Sequence, residues 1–120
     1  MANPNVASTS SLYGVTTGQT IDTTLSSIFT GTTDKLKEIV LIRATNIDGA
    51  TDAAVTVSFY ENANNHIYLA YEINVPAASA LDVITEDAPI MLRESDQIHA
   101  RSSANGDIQI AITYKEFDDA

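Results

Sequence analysis

The alternation of apolar and polar residues near the end of the chain limits the possible folds more than any other sequence feature. Over residues 107–115 the apolar positions are Ile108, Ile110, Ile112 and Tyr114, and the positions between them are polar or neutral. A period of two belongs to a β-strand that covers a core with one face and meets water or a partner with the other. We therefore predict a half-buried strand here.

The residues before this strand predict a hairpin. A two-residue turn at Asn105-Gly106 would set polar side chains among the isoleucines, because a one-residue slip in register reverses every side chain. A three-residue loop over residues 104–106 keeps the apolar residues on one face, with Gly106 in a left-handed conformation beside a bulge. The pairs that this loop predicts are Ile98 with Ile112, Ala100 with Ile110, and Ser102 with Ile108.

Other strand-like segments recur at spacings of about ten residues, which is typical of sandwiches and jelly rolls. The apolar run over residues 39–42 has three β-branched residues out of four, which predicts a strand buried on both faces in the middle of a sheet. Residues 20–29, 53–61, 66–75, 80–85 and 89–92 predict further strands. Within residues 66–75, the residues expected to face inward are Ile67, Leu69, Tyr71 and Ile73. We predict an all-β fold, an antiparallel β-sandwich or jelly roll of seven or eight strands.

The chain is expected to form one domain, because 120 residues can bury about two-thirds of the unfolded surface. Residues 1–19 are poor in large apolar groups, with Leu12, Tyr13 and Val15 as the only anchors. We predict a flexible N-terminal arm over residues 1–19 and a single β-sandwich domain over residues 20–120. The arm is either a frayed terminus or a segment that becomes ordered on a neighbouring subunit.

Charge and composition exclude several classes of function. The formal net charge is −10 and the six basic residues are scattered, which argues against nucleic acid as a partner. The absence of cysteine excludes disulfides, thiolate zinc sites and cysteine nucleophiles. No apolar run approaches the roughly 18 residues of a membrane span, and the first residues do not resemble a signal peptide. We expect no membrane partner and a protein that is used where it is made.

The carboxylates offer two candidate sites. Glu94 and Asp96 could act as a general acid and base, but side chains two apart in a corner seldom face one cleft. Asp96 is better interpreted as a corner residue that bonds nearby backbone amides. Asp48 and Asp52 form a weak calcium-like loop that lacks the alternating oxygen ligands of a strong site. A turn explains both of these residues.

The histidines and hydroxyl residues do not form a catalytic pattern. His66 and His99 are expected on outer faces, and no pair has metal-ligand spacing. No nucleophile elbow and no glycine-rich phosphate loop is present. We therefore predict that the protein is not an enzyme and has no catalytic residue, no metal site and no cofactor.

Several residues are candidates for a contact surface. The tyrosines at positions 13, 60 and 68 could be rings of a protein interface or a platform for sugars. The predicted hairpin would place His99, Arg101, Gln109 and Lys115 together on one outward face. The interface candidates are Leu12, Tyr13, Val15, Tyr60, Tyr68, His99, Arg101 and Phe117.

Motifs along nearly the whole chain carry a resemblance. They are the Met-Ala-Asn-Pro start, Asn-Ile-Asp-Gly at residues 46–49, Val-Pro-Ala at residues 75–77 and the corner over residues 90–100. Together they resemble small virion structural proteins of tailed bacteriophages, especially those of aquatic and cyanobacterial hosts. The residues that fit the corner and the "Tyr-x-Glu" ending of this family are Leu92, Glu94, Asp96, Ile98, Tyr114 and Glu116. Ser95 stands where the family usually has glycine.

The resemblance implies a β-sandwich that assembles on a phage particle in the host cytoplasm and resides in the virion. It implies a decoration (cement) protein that binds capsid junctions as a homo-oligomer, with a trimer favoured and the major capsid protein as partner. A neck or tail component, with neck or tail proteins as partners, is the alternative within the same class. A carbohydrate-binding module is the alternative from another class.

Overall fold

The structure, a computed structural model, describes residues 13–61 and 65–118, which form nine β-strands and no helix. The strands are β1 (Tyr13–Ile21), β2 (Ser26–Thr30), β3 (Lys35–Asn46), β4 (Ala53–Glu61), β5 (Asn65–Val75), β6 (Ala80–Ile84), β7 (Ile90–Leu92), β8 (Gln97–Ser102) and β9 (Ile108–Asp118). They build a five-stranded and a four-stranded sheet, both antiparallel, which confirms the predicted β-sandwich. The described residues have one strand more than predicted, because β1 ends at Ile21 and β2 begins at Ser26 where residues 20–29 predict a single strand.

The strand order is that of a jelly roll. The five-stranded sheet has the order β1-β9-β3-β6, with the short β7 also paired to β3, and the four-stranded sheet has the order β2-β8-β4-β5. The chain passes from one sheet to the other at most of its turns, so that successive strands lie on opposite sides of the core. This winding is typical of jelly rolls, in which two sheets wrap one core.

The core lies between the inner faces of the two sheets. β3 pairs with β9 on one side and with β6 and β7 on the other, as predicted for a central strand. Ile39 and Ile42 are fully buried, and Val40 on the opposite side of the strand is only 9% exposed, next to a register shift. Full burial of such a side chain contributes about 1.5–3 kcal/mol. The prediction of burial on both faces is confirmed at Val40, whereas Leu41 is half-buried.

The predicted hairpin between the last two long strands is wrong. β8 pairs with β2 and β4, whereas β9 pairs with β1 and β3, so the two strands belong to different sheets. The inward faces were predicted correctly, since Ile98 and Ile112 are both buried. These residues face the core from opposite sheets and are not neighbours in one sheet. Gly106 has a φ of 81°, which is the predicted left-handed conformation.

The same change of sheet separates the polar residues that the hairpin would have grouped. His99 and Arg101 lie on the outer face of the four-stranded sheet, and Gln109 and Lys115 lie on the five-stranded sheet. The alternation specifies which face of a strand is buried, but a core between two sheets satisfies that requirement as well as a hairpin does. The predicted single mixed polar surface does not form.

The inward face predicted for residues 66–75 is buried against the core only in part, at Leu69. Ile67, Tyr71 and Ile73 on β5 are 51%, 54% and 43% exposed. β5 is an edge strand that pairs with β4 alone in the described sheet, and two register shifts interrupt that pairing. Glu72 has a φ of 50°, which breaks the alternation and leaves Ala70 and Val75 as the buried residues of the strand.

The predicted boundary at residue 20 falls inside a strand. β1 pairs with β9 from Tyr13, opposite Glu116, to Ile21, opposite Ile108. Residues 1–12, with Leu12 among them, lie outside the described residues. For those residues the arm stays a prediction.

Candidate interaction surface

The acidic corner after β7 is a network of hydrogen bonds to the backbone. Asp96 is 1% exposed, and its carboxylate accepts the Arg93 N–H at 3.0 Å. Glu94 accepts the N–H of Asp34 at 3.1 Å. Ser95 adopts the left-handed conformation with a φ of 73°. The interpretation of Asp96 as a corner residue is confirmed, and each carboxylate serves a different part of the backbone.

The two aspartates of the calcium-like loop are also engaged by the chain. Asp48 accepts the N–H groups of Ala50 and Thr51 at 2.8 and 3.2 Å. Asp52 accepts the Ala77 N–H at 2.9 Å, and this hydrogen bond lowers the pKa of the carboxyl group. Within residues 13–61 and 65–118, no cluster of three or more histidine or acidic side chains is placed to hold a metal ion.

Aromatic rings from three neighbouring strands meet on the outer face of the four-stranded sheet. In the register of this sheet Tyr60 lies opposite His66, and Ser58 lies opposite both Tyr68 and His99. The ring centroids of Tyr60 and His66 are 4.5 Å apart, those of Tyr60 and His99 4.7 Å, and those of the two histidines 4.9 Å. The aromatic cluster consists of Tyr60, His66, Tyr68, Tyr71 and His99.

Polar neighbours hold both histidine rings in place. The Nδ1 atom of His66 lies 2.9 Å from the hydroxyl of Ser58, and the Nε2 atom of His99 lies 2.8 Å from Oε1 of Gln97. Burial lowers the pKa of His99, and the neighbouring His66 lowers it further. His99 therefore favours the neutral form, which suits a surface of stacked rings.

Four of the predicted interface residues share this face: Tyr60, Tyr68, His99 and Arg101. Arg101 lies beside the cluster, where its Nη2 atom is 3.7 Å from Oε1 of Glu72. The sequence predicted these residues one by one. The structure brings them together because β8, β4 and β5 are adjacent in one sheet.

The remaining predicted residues do not join this face. Val15 lies on β1 of the other sheet, half-buried and opposite Tyr114 of β9. Tyr13 begins the same strand. Phe117 is 5% exposed, so its ring is already packed within the chain, and we leave it out of the candidate surface.

The exposed apolar residues Ile67, Tyr71 and Ile73 of β5 were missed as surface residues. The sequence contained a signal for this exposure, because the neighbouring residues Tyr68 and Leu69 place large apolar groups on both faces of the strand. A strand with apolar groups on both faces is either central or an edge that something covers. The structure shows that β5 is an edge.

No helix that is long and apolar enough to cross a membrane occurs in the part of the chain that the structure describes. The jelly roll and the aromatic cluster on its four-stranded sheet define the class of the protein. It is a small all-β sandwich with an exposed aromatic face. No protein-family model and no curated protein matches the chain.

The solved structures that are similar to this chain include a pilus protein and a phage capsid protein. One is a chain of Bacillus endospore appendages, a family of disulfide-linked pili, with a TM-score of 0.52, 17% identity and coverage of 91% of this chain and 88% of that chain. The other is a pentameric capsid protein from metagenomic phage sequences, with a TM-score of 0.40, 16% identity and coverage of 86% of this chain and 60% of that chain. The first likeness shows a shared fold, and the second is too low to carry an argument. This chain has no cysteine with which to form a disulfide.

Proposed function

We propose that this protein is a non-catalytic structural subunit of a tailed-phage particle and acts as a decoration (cement) protein that binds the capsid shell as an oligomer. The observation that carries the structural role is the aromatic cluster, which lies on an open sheet face. Tyrosine rings and arginine on such a face are typical of protein interfaces. The sequence resemblance supports the assignment to a phage particle, and a jelly roll is a fold that viral capsid domains use.

The net charge of the chain is compatible with a subunit that binds to the surface of a larger protein shell. A net charge of −10 keeps the free subunit soluble and favours contact with a basic surface. In this proposal the major capsid protein supplies that surface, a trimer is the binding unit, and the protein resides in the virion after assembly in the host cytoplasm. A neck or tail position, with neck or tail proteins as partners, is the alternative within this class.

Electron microscopy of particles carrying a label at the C-terminus tests the position. We expect labels distributed over the capsid shell at regular positions. Labels confined to the neck or tail would replace the decoration role with the alternative. The absence of label from purified particles, with the labelled protein present in the lysate, would refute both.

A pair of matched variants tests the binding face. Tyr68→Ser with Arg101→Ser removes an exposed ring and a charge from the four-stranded sheet. The control, Met91→Ser with Arg43→Ser, removes a 44% exposed side chain and an arginine from the other sheet. In a pelleting assay with particles, we expect the first variant to lose at least about tenfold in affinity, or ~1.4 kcal/mol, while the control changes little. Equal binding by both variants would remove the aromatic face from the proposal.

A carbohydrate-binding module remains the second candidate, because Tyr68 exposes 47% of its surface beside other rings on an open face. Lectin domains also use jelly rolls and stack sugars on aromatic rings. A glycan array separates the two functions. Reproducible binding that Tyr68→Ser abolishes would favour the module, and a blank array at high protein concentration would exclude it.

A further inference from the structure

Strand β5 carries most of the exposed large apolar surface. Of the six large apolar side chains exposed among the described residues, four belong to this strand. These residues form the β5 strip: Ile67 at 51%, Tyr68 at 47%, Tyr71 at 54% and Ile73 at 43% exposure. Contiguous apolar surface of this kind marks a contact site in a soluble protein.

The other sheet edges in the described part of the chain are protected. β2 and β6 have only five residues each, and Asp82 on β6 forms an ion pair with Arg43. The exposed residues of β1 are threonine, glutamine and glycine. Short length, charge and polarity are the usual ways to keep an edge from pairing. β5 has eleven residues, no lysine and no proline, so its exposure calls for a covering partner.

The β5 strip wraps around the edge of the sandwich. Ile67 and Ile73 lie opposite Phe59 and Val55, whose side chains face the core, so these isoleucines lie on the inner side. Tyr68 lies on the outer side, and its ring contacts that of Tyr71 with centroids 4.9 Å apart. The strip therefore presents apolar groups on both sides of one strand.

The size of this strip suits a weak contact. The seven residues from Ile67 to Ile73 span roughly 23 Å, and a strip of that length and about 17 Å in width has on the order of 400 Å². A standard protein interface buries about 800 Å² per partner. The register shifts and the positive φ of Glu72 interrupt the hydrogen-bonding edge, so side chains would form most of the contact.

We propose that a second copy of this chain covers the β5 strip. The chain carries a net charge of −10, so two copies repel each other over most of their surfaces. The strip is the exception, because it carries no charge and the single carboxylate of β5, Glu72, lies 3.7 Å from Arg101 of the same chain. A two-fold axis places the same apolar residues on both sides of the contact.

This inference goes beyond the proposed function, since a two-fold contact joins two copies and the proposed trimer needs a further contact, and it rests on that function only for its setting in a particle. Sedimentation of the full chain tests it between about 10 µM and 1 mM. We expect reversible association of the natural chain, and a monomer for Ile67→Glu with Tyr71→Glu. The matched control, Ile47→Glu with Met91→Glu, changes residues that are 53% and 44% exposed elsewhere, and it should associate like the natural chain.

Charge complementation identifies the occupant as a second copy. Ile67→Lys with Tyr71→Lys should also be monomeric alone, and an equal mixture with the glutamate variant should associate again. Circular dichroism of each variant checks that the fold is retained. A natural chain that stays monomeric throughout the range would overturn the inference, as would a mixture that remains monomeric or a control that dissociates equally.

The outcomes for the two proposals differ. Association through β5 without any label on particles would remove the particle function and leave the self-contact intact. The opposite result is also informative. If labels appear on the shell while the natural chain is monomeric in solution and the β5 variant binds particles normally, the self-contact is removed and the particle function is left intact.

Discussion

Two isoleucines on either side of Phe59 show how position decides the role of a residue in this sandwich. Phe59 of β4 lies opposite Ile98 of β8 on one side and opposite Ile67 of β5 on the other. Ile98 is fully buried, whereas Ile67 is 51% exposed. Both residues have the same side chain, the same neighbour and the same inner orientation. They differ because the five-stranded sheet covers β8 and does not extend fully over the edge strand.

This difference separates stability from recognition within one sheet. Apolar residues under the opposite sheet lose contact with water in every molecule and stabilise the fold. Apolar residues at the edge contribute this stabilisation only when a bound partner covers them. Substitutions of one residue type at a covered and at an uncovered position should therefore have different effects on stability.

Truncation of the two isoleucines should give the largest difference. We expect Ile98→Ala to lower the free energy of unfolding by about 2–5 kcal/mol, because it leaves a cavity in a fully buried site. Ile67→Ala should cost about 1 kcal/mol or less in the dilute monomer, since half of its surface already meets water. Urea unfolding at low protein concentration measures both values. Similar losses for the two variants would contradict the division between covered and uncovered positions.

Two glycines extend the comparison to the backbone. A Cβ atom on Gly31 would clash with the carbonyl oxygen of Arg93, whereas a Cβ atom on Gly49 would meet nothing within 4 Å. We expect Gly31→Ala to destabilise the fold by about 1–3 kcal/mol. Gly49→Ala should stay within about 0.5 kcal/mol of the natural chain. Thermal unfolding of both variants is sufficient, and a neutral Gly31→Ala would show that the corner can move away.

The smallest effect concerns His99 and its pH dependence. Burial, and then the proximity of His66, hold the pKa of His99 below its ordinary value, and Tyr60 and Gln97 also contact the ring. A histidine in the unfolded chain has a pKa of about 6.5, so below that pH this residue binds more protons in the unfolded state than in the folded state. The contribution of His99 to the free energy of unfolding is therefore fully present above this pH, and it declines as the pH falls towards the pKa of His99 in the folded state.

We expect the melting temperature to fall between about pH 6.5 and 5, above the range in which ordinary carboxylates titrate. His99→Gln should flatten this slope, and Gln19→Ala, a change at an exposed residue of the other sheet, should not. Circular dichroism melts at constant ionic strength give the slopes. An unchanged slope in His99→Gln would assign the pH dependence to other groups.

Much of the fold could be predicted because alternation reports burial directly. The limits of β4 agree with the prediction of a strand over residues 53–61, and the isoleucines of β9 face the core as expected. Asp96 was predicted as a corner residue because a short carboxylate after a strand bonds to nearby amides. These features depend on residues close together in the sequence.

The candidate site could be predicted only in part. Tyr60, Tyr68 and His99 were recognised as surface residues, but His99 meets the two tyrosines only because β8 pairs with β4, a strand that lies far from it in the sequence. Ile67, Tyr71 and Ile73 of the β5 strip were predicted to face inward, because they are as apolar as the residues of a buried strand. No local pattern distinguishes a covered edge from an open one.

The sequence by itself determined where strands form and which side of most of them avoids water, because these properties follow from a period of two and from turn residues. Only the tertiary structure decided which strands are neighbours. It placed β8 and β9 in opposite sheets, since two buried faces can meet across a core as well as within one sheet. It also left the apolar β5 strip at an edge, where Ile67, Tyr71 and Ile73 are exposed although their alternation predicted that they face inward.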